Sequence, residues 1–456
     1  MRQPFAVQSA QSDSTPISVE RLVNFYPRIQ GERAKAKLTL WGTPGLKSFS
    51  IAGSGPVRGT HNMLGILYVV SGPNLYSVSS TGVAASLGSV GSAGNVTMSD
   101  NGLQLTIISG TAGYTYTVST DTLAVIADSD FPTASSVTFL DGYTIVAKDS
   151  TGLFYISSVL DSTAWDALDF ATAEANPDII IRSYANKGQL WHFGKKTTEV
   201  WFNSGASFPF SRMSGGRIDR GCLAKFSVAD EDNSLFWLGN DKTVYRANGF
   251  TPQRISTHAV ESAIESYATP SDAQAWTYTA AGHKFYVLNF SEGTWVYDIA
   301  TGLWHERQST DKTRWRASTG VEVYGKVICG DFEDGNIYEL DPDTYDENGA
   351  DLIATAISEP YFANGQRVRM PRLELEFETG VGLTTGQGSD PQVMLQFTDD
   401  GGKTWSNELW RDLGKIGIFL NRVIWTRLGS FRQRSLKISI SDPVKRNLIA
   451  ADVTLK

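Results

Sequence analysis

The stretch LYVVSGPNLYSV, residues 67–78, consists of two short apolar strands joined by a tight polar turn, and it decides the fold. Gly72 and Asn74 suit a hairpin turn because both residue types tolerate a positive φ. The second strand carries Tyr76, and the same pattern returns six more times along the chain. The seven aromatic residues are spaced by 40, 39, 46, 44, 52 and 41 residues and are Tyr76, Tyr116, Tyr155, Trp201, Tyr245, Tyr297 and Tyr338.

A period of roughly 40 to 50 residues that carries several short strands is typical of a β-propeller, in which each repeat forms one blade. We predict seven blades over residues 51–350, with six as the alternative. Each aromatic is expected to be a packing anchor between neighbouring blades. Residues 1–50 contain Pro and Gly without periodicity, which predicts an extended N-terminal segment clamped onto the other domains.

Beyond about Asp351 the pattern changes to longer runs of alternating apolar and polar residues. These runs include LELEF at 373–377, VMLQF at 393–397 and LKISI at 436–440. Such alternation is typical of half-buried antiparallel strands. We therefore predict a β-sandwich over residues 351–456, which makes the chain all-β apart from a short helix near His258 to Tyr267.

Composition excludes several classes of protein. The formal net charge of −8 argues against a protein that coats nucleic acid through a generally basic surface, although a local basic patch is compatible with it. Cys222 and Cys329 are too few for a disulfide framework and are expected in the core. No apolar run reaches the ~20 residues of a membrane span, and the N-terminus lacks a signal peptide, so a soluble chain is expected.

No catalytic motif is present, and we expect no enzyme activity, no cofactor and no metal site. Neither a GxSxG, a Walker nor a Rossmann motif occurs, and the five histidines lack metal-binding spacing. No pair of carboxylates is singled out as an acid and its partner for glycoside hydrolysis. The run TDDGGKTW at 398–405 resembles the Asp-box hairpin of sialidases, whose physical content is a turn, and it occurs once.

Charge is segregated along the chain. The segment 331–351 has nine carboxylates without Lys or Arg, which indicates a solvated loop or a surface that repels DNA in a channel. Its spacing does not fit a calcium loop. The candidate channel or interface residues in this acidic loop are Asp341, Asp343, Asp346 and Glu347. A basic set in the C-terminal domain indicates either a solvated strand face or a docking surface for an acidic neighbour. The candidate assembly residues are Arg411, Lys415, Arg422, Arg427, Arg432 and Arg434.

Over most of its length the chain resembles the packaged DNA stabilization proteins of short-tailed bacteriophages, also described as tail accessory factors or tail nozzle proteins. The segments that carry the resemblance are RLVNFYP at 21–27, GTPGL at 42–46, TEVWFNSG at 198–205, FPF at 208–210, VIWTRLG at 423–429 and LKISI at 436–440. Their order and spacing over a propeller of this length are similar to those of the family.

The resemblance implies a non-enzymatic protein of the virion tail, made in the host cytoplasm. It implies a hexameric ring below the portal and its adaptor ring, which retains packaged DNA and forms part of the ejection channel. The implied partners are the adaptor and portal, a tail needle or plug, tailspike or fibre proteins, and double-stranded DNA that passes without sequence recognition. Two alternatives stay open at this point: a propeller that binds or hydrolyses glycans, and a cellular scaffold propeller with a peptide partner.

Overall fold

The computed structural model describes residues 2–173 and 178–456, and most of them form seven blades of four antiparallel strands and a β-sandwich. Five blades are separate sheets, and the other two are parts of larger sheets. The first strand of each blade lies beside the first strands of neighbouring blades, so these strands surround a common axis. This arrangement confirms the predicted all-β propeller followed by a sandwich, and the blades number seven.

The strands of each blade follow one another from the axis to the rim. Blades 1 to 3 contain Val57–Met63, Ile66–Ser71, Asn74–Val78 and Ala84–Ser89; Val96–Asp100, Gln104–Ser109, Ala112–Thr117 and Thr122–Val125; and Ala134–Leu140, Tyr143–Lys148, Leu153–Ser158 and Asp161–Thr172. Blades 4 to 6 contain Ile180–Asn186, Gln189–Gly194, Thr198–Asn203 and Phe210–Ile218; Ala229–Glu231, Ser234–Leu238, Val244–Asn248 and Thr251–Arg254; and Gln274–Ala280, His283–Asn289, Thr294–Asp298 and Leu303–Glu306.

Blade 7 is built from two distant parts of the chain. Its inner strands are Ala317–Val323, Lys326–Asp331 and Asn336–Asp341, and its outer strand is Gly45–Ile51. Leu46 pairs with Leu340 and Ile51 pairs with Asn336. Because the outer strand precedes blade 1 in the chain, this pairing fastens the end of the propeller to its beginning.

All seven predicted anchors lie on the third strand of their blades. Each side chain packs in an apolar cluster that is shared with the preceding blade, and the cluster around Tyr76 joins blade 7 to blade 1. The other six clusters contain Tyr116, Tyr155, Trp201, Tyr245, Tyr297 and Tyr338. The aromatic repeat therefore marks the seams between blades.

The sandwich has two sheets over one apolar core that includes Trp425, Leu395 and Phe25. The first sheet contains Phe25–Ile29, Leu38–Gly42, Leu448–Thr454, Arg372–Phe377 and Val423–Thr426, with Arg2–Gln3 beside Leu448–Thr454. The second contains Ala354–Ile357, Gln433–Ile440, Gln392–Thr398 and Leu409–Asp412, with Tyr361–Phe362 beside Gln433–Ile440. The remaining short strands are Asp346–Glu347, Ala350–Asp351, Val368–Arg369 and Ser430–Phe431.

The N-terminal strands connect the two parts of the molecule. Arg21–Val23 pairs with Ala354–Ile357 of the sandwich, and its Val23 lies parallel to Glu306 of blade 6. One continuous sheet therefore runs from blade 6 into the sandwich. The domain boundaries suggested at residues 50 and 350 remain predictions, because residues 2–51 supply strands to both parts.

The predicted helix is present at His258–Ser266, between blades 5 and 6. The Thr257 side chain caps its N-terminus by accepting from the Val260 amide. Val260 and Ile264, four residues apart on one face, are buried in the cluster between these blades. Short 3₁₀ helices cover Val118–Thr120 and Pro270–Asp272.

Candidate assembly surfaces

Five of the six predicted basic residues are exposed on the sandwich. Lys415 pairs with Asp390 at 3.3 Å, and Arg422 pairs with Glu374 at 2.6 Å. Arg411 instead donates to the backbone carbonyl of Trp410 in its own strand and to that of Ile424 in the other sheet of the sandwich. The other exposed residues are Arg427 and Arg432. Part of the positive charge of this face is therefore already neutralised within the chain.

Arg434 does not belong to this surface, and that part of the prediction is wrong. Arg434 is only 2% exposed, and its guanidinium donates to both carboxylate oxygens of Asp399 at 2.6 and 2.7 Å. The guanidinium also lies over the rings of Phe397 and Phe431, at 4.1 and 4.4 Å from their centroids. Strand alternation in Gln433–Ile440 turns this position inward, where Arg434 anchors the hairpin that contains Asp399.

The Asp-box stretch forms the turn that its sequence predicts. The Asp400 carboxylate accepts from the Thr398 hydroxyl at 2.7 Å and from the Thr404 amide and hydroxyl at 3.0 and 2.6 Å. These bonds favour the ionised form and lower the pKa of Asp400. Lys437 places its Nζ 4.9 Å from the Trp405 ring centroid. The hydrogen bonds of Asp400 all lie within this hairpin, which supports a structural role.

The predicted acidic loop is only partly a surface. Asp343 is exposed, Asp341 and Asp346 are half-buried, and Asp341 accepts from the Asp343 amide at 2.9 Å. Glu347 is buried and accepts from the indole N–H of Trp315 at 2.9 Å. Burial raises the pKa of Glu347. Its place in the predicted channel or interface surface is wrong, because it lies inside the junction between propeller and sandwich.

The structure exposes an apolar loop that the sequence reasoning missed. Residues 413–422, named here the sandwich loop, connect Leu409–Asp412 to Val423–Thr426. Phe419 is 71% exposed and Leu420 is 93% exposed, with Ile416 and Ile418 exposed beside them. The signal in the sequence is the unalternated run IGIFL at 416–420, next to basic residues. Contiguous exposed apolar groups with a polar rim are typical of interaction sites.

A second apolar surface lies at the rim of blades 2 and 3. On the outer strand Asp161–Thr172, Leu168 is 81% exposed and Phe170 is also exposed. Asp166 and Asp169 alternate with these apolar residues, and blade 2 adds the exposed residues Val125 and Asp130. Within residues 2–173 and 178–456, no Lys or Arg forms an ion pair with these carboxylates. We name this acidic and apolar surface the blade 3 rim.

The two surfaces belong to parts of the molecule that are far apart in the order of the blades. The sandwich continues from the sheet of blade 6. Blade 3 lies three blades from blade 6, which is the largest separation that a seven-bladed ring permits. One surface is therefore apolar and basic, and the other, in a distant blade, is apolar and acidic.

A cavity of about 570 Å³ lies between the N-terminal segment, the helix and blade 6. Its carboxylates have partners: Arg21 binds both Glu306 oxygens at 3.0 and 2.5 Å, and Glu292 accepts from the Ala268 amide. The Trp295 indole N–H donates to the Tyr267 hydroxyl at 3.0 Å. These groups hold the cavity wall together, so the arrangement favours a structural junction over a glycan-cleaving pair.

Two other kinds of site are absent from the described part of the chain. No group of three or more His, Cys, Asp or Glu side chains there could hold a metal ion. In the same residues, no helix is both long and apolar enough to cross a membrane.

The molecule is a closed propeller fused to a β-sandwich, with one exposed apolar surface beside basic residues and another beside acidic ones. Comparison with family models gives the family. The model for the bacteriophage P22 Gp10 β-propeller matches residues 12–345, and the model for the Gp10 β-sandwich matches residues 356–456. The chain belongs to the bacteriophage P22 Gp10 family and is a structural protein of the virion tail.

Similarity to solved structures is weak. The computationally designed Ika8 protein is 13% identical over 74% of this chain and 99% of its own, with a TM-score of 0.42. A chain of the Mitotic Checkpoint Complex is 12% identical over 69% and 95%, with a TM-score of 0.44. PorZ of Porphyromonas gingivalis is 12% identical over 82% and 46%, with a TM-score of 0.40. These likenesses add nothing to the family assignment. A comparison with curated proteins found no match.

Proposed function

We propose that the chain forms a ring, of six copies by resemblance to its family, below the portal and adaptor of a short phage tail. In this ring it retains packaged DNA and forms part of the channel through which DNA leaves. The adaptor and portal are its principal partners, with a tail needle or plug and tailspike or fibre proteins attached below. The observation that carries the ring is the pair of complementary surfaces on distant parts of one chain.

The chemistry of the two surfaces supports contact between neighbouring copies. The sandwich loop presents Phe419 and Leu420 beside Arg411 and beside Lys415, which also pairs with Asp390. The blade 3 rim presents Leu168 beside carboxylates that form no ion pair within the described residues. Burying apolar area on both sides supplies the free energy, and opposite charges at the edges set orientation and association rate. A contact between two different surfaces of one chain is head-to-tail, and such contacts form closed rings when the rotation closes.

The negative charge of the chain supports a channel whose wall does not bind DNA. The net charge is −8, and exposed carboxylates such as Asp343 adjoin half-buried ones such as Asp346 in the acidic loop. Like charge keeps phosphates at a distance, and few Lys or Arg contacts are then available to bind the backbone. Retention of DNA would therefore depend on closing the channel by geometry or with a separate plug.

Mass photometry of the full-length chain tests the ring, alone and with the purified portal and adaptor complex. We expect species in multiples of 49.8 kDa, and recruitment to the portal and adaptor complex. Phe419→Asp and Leu168→Asp place a charge in the apolar contact and should each yield monomers. Val83→Asp, at an exposed apolar residue of blade 1, is the matched control and should assemble normally.

The outcomes separate the function from the surfaces. A chain that stays monomeric and does not bind the portal and adaptor complex contradicts the tail-ring function. Rings that form equally well with Phe419→Asp and Leu168→Asp leave the function intact but contradict the assignment of the two surfaces.

A further inference from the structure

Charge is separated along the central channel of the propeller. The inner strands of all seven blades run in the same direction, since each blade repeats the same antiparallel order. Near the ends where these strands begin are Arg58, Arg182 and Lys225, whereas the opposite ends carry Asp100, Asp230 and Glu322. Three cations therefore lie near one mouth of the channel, and three carboxylates lie near the other.

Two of the cations lie close together and lack acidic partners. Nη1 of Arg182 is 3.4 Å from the carbonyl oxygen of Lys225, and its Nε is buried without a hydrogen-bond partner in the described chain. Lys225 donates through Nζ to the Ser135 carbonyl at 2.8 Å, from blade 5 to blade 3. Burial lowers the pKa of both groups, and the charge of Arg182 lowers the pKa of Lys225 further.

The third cation also binds only neutral groups. Arg58 is buried and donates to the carbonyls of Gly72 and Gly91 and to the Ser109 hydroxyl, at 2.7, 2.5 and 2.7 Å. Over residues 2–173 and 178–456, no carboxylate lies within ion-pair distance of any of the three cations. Asp149 acts on Lys225 only at longer range. Arg58 is buried, and Arg182 and Lys225 are half-buried. Charges removed from water are normally paired, so this group of cations is unusual.

A cavity of about 140 Å³ lies beside these cations. Arg58 and Arg182 line it, together with Thr97, Thr319 and Gln274. The Thr319 hydroxyl is buried without a partner among the described residues, and Gln274 accepts a cross-channel bond from Asn95 at 3.3 Å. The volume suits one small anion with a few waters and is far too small for a peptide or a nucleic acid.

We propose that this mouth of the propeller channel binds a small inorganic oxyanion of the size of phosphate or sulfate. Arg58 of blade 1 and Arg182 of blade 4 line the cavity and supply the charge, and the Thr319 hydroxyl of blade 7 supplies a neutral donor. Charge-assisted bonds of this type are short and strong, and a guanidinium fork matches an oxyanion geometrically. The bound anion would connect blades 1, 4 and 7 across the axis and stiffen the ring. The site is independent of the proposed tail function.

Isothermal titration calorimetry of the full-length chain with sodium phosphate, at constant ionic strength set with sodium chloride, tests the site. We expect saturable binding of one phosphate per chain and displacement by sulfate. Arg182→Gln should weaken binding about tenfold or more, since it removes a charged donor that lines the cavity. Arg212→Gln, at an exposed Arg on the outer strand of the same blade as Arg182, is the matched control and should bind normally.

Thermal unfolding separates binding from a structural role of Arg182. Phosphate should raise the Tm of the wild-type chain and leave that of Arg182→Gln unchanged. In chloride alone the variant should unfold at the wild-type temperature or above it, because the substitution removes repulsion between two cations. Absence of saturable phosphate binding to the wild type would overturn the proposal. So would an equal loss of Tm in both buffers on Arg182→Gln.

Discussion

Gly59 lies at the seam between blades 1 and 2, where the inner strands approach closely. A Cβ placed on Gly59 would be 2.6 Å from Cγ2 of Val96 and 3.0 Å from Cε of Met98. Carbon atoms in favourable contact are ~3.5 to 4.0 Å apart, so Val96 must give way by about 1 Å. The Met98 side chain can rotate away, but Val96 is β-branched and nearly buried. Gly59→Ala should therefore overpack the seam.

The size of the effect follows from two opposing contributions. Overpacking in a dense core costs about 1 to 3 kcal/mol, whereas replacing Gly by Ala restricts the unfolded chain and returns about 0.4 to 1 kcal/mol. We expect Gly59→Ala to lower the free energy of unfolding by about 1 to 2 kcal/mol. Val96→Ala alone removes two methyl groups and should cost about 2 kcal/mol.

A double-mutant cycle measures the clash directly, with urea unfolding followed by tryptophan fluorescence. In Gly59→Ala/Val96→Ala the interfering Cγ2 is gone, so the double variant should be more stable than the sum of the single effects by about 1 kcal/mol. Gly31→Ala is the control, because nothing lies within 4 Å of a Cβ at Gly31. Additivity within ~0.5 kcal/mol would refute the close approach of these two blades.

Two further predictions concern buried charged groups. Burial raises the pKa of Glu20 from 4.5 to about 7, although the Val7 amide donates to its carboxylate. The protonated form of Glu20 therefore contributes stability that is fully present below pH 4.5 and is lost as the pH rises through 7. Gln at this position has no such loss, so the free energy of unfolding of Glu20→Gln, relative to that of the wild type, should rise by about 3 kcal/mol between pH 4.5 and 8. Parallel stability profiles from urea unfolding across this range would contradict it. Arg434→Lys should lose the two-point bond to Asp399 and about 2 kcal/mol, a value reduced because the Asp399 side chain is 43% exposed. Unfolding midpoints equal to the wild type would exclude that role.

Local periodicity was sufficient to predict the blades and the sandwich. A strand alternates its faces every two residues, and the aromatic on the third strand of each blade recurs because every seam has the same geometry. Tyr116 and Tyr338 are 222 residues apart in the sequence, yet they occupy equivalent packing positions in their blades. The helix at His258–Ser266 could also be predicted from the sequence, since its cap and its buried face are local features.

Candidate surface residues were less predictable, because exposure depends on what packs against a strand from elsewhere in the chain. Arg434 and Glu347 carry charges that favour the surface, yet both are buried by segments distant in the sequence. Asp399 accepts a hydrogen bond from Arg434, and Trp315 donates one to Glu347. Conversely, the sandwich loop is apolar in sequence like a core strand, and only the structure shows that nothing in the described chain covers Leu420.

The sequence by itself determined the propeller class, the change to a sandwich and the family resemblance, because these depend on patterns within short windows, but it left the number of blades at seven or six. Only the tertiary structure decided how the ring closes, since Gly45–Ile51 must pair with Asn336–Asp341 almost 300 residues later. It also brought Arg58, Arg182 and Lys225 to one mouth of the channel from three separate blades. Pairing and charge proximity of this kind depend on distances in space, which sequence separation does not encode.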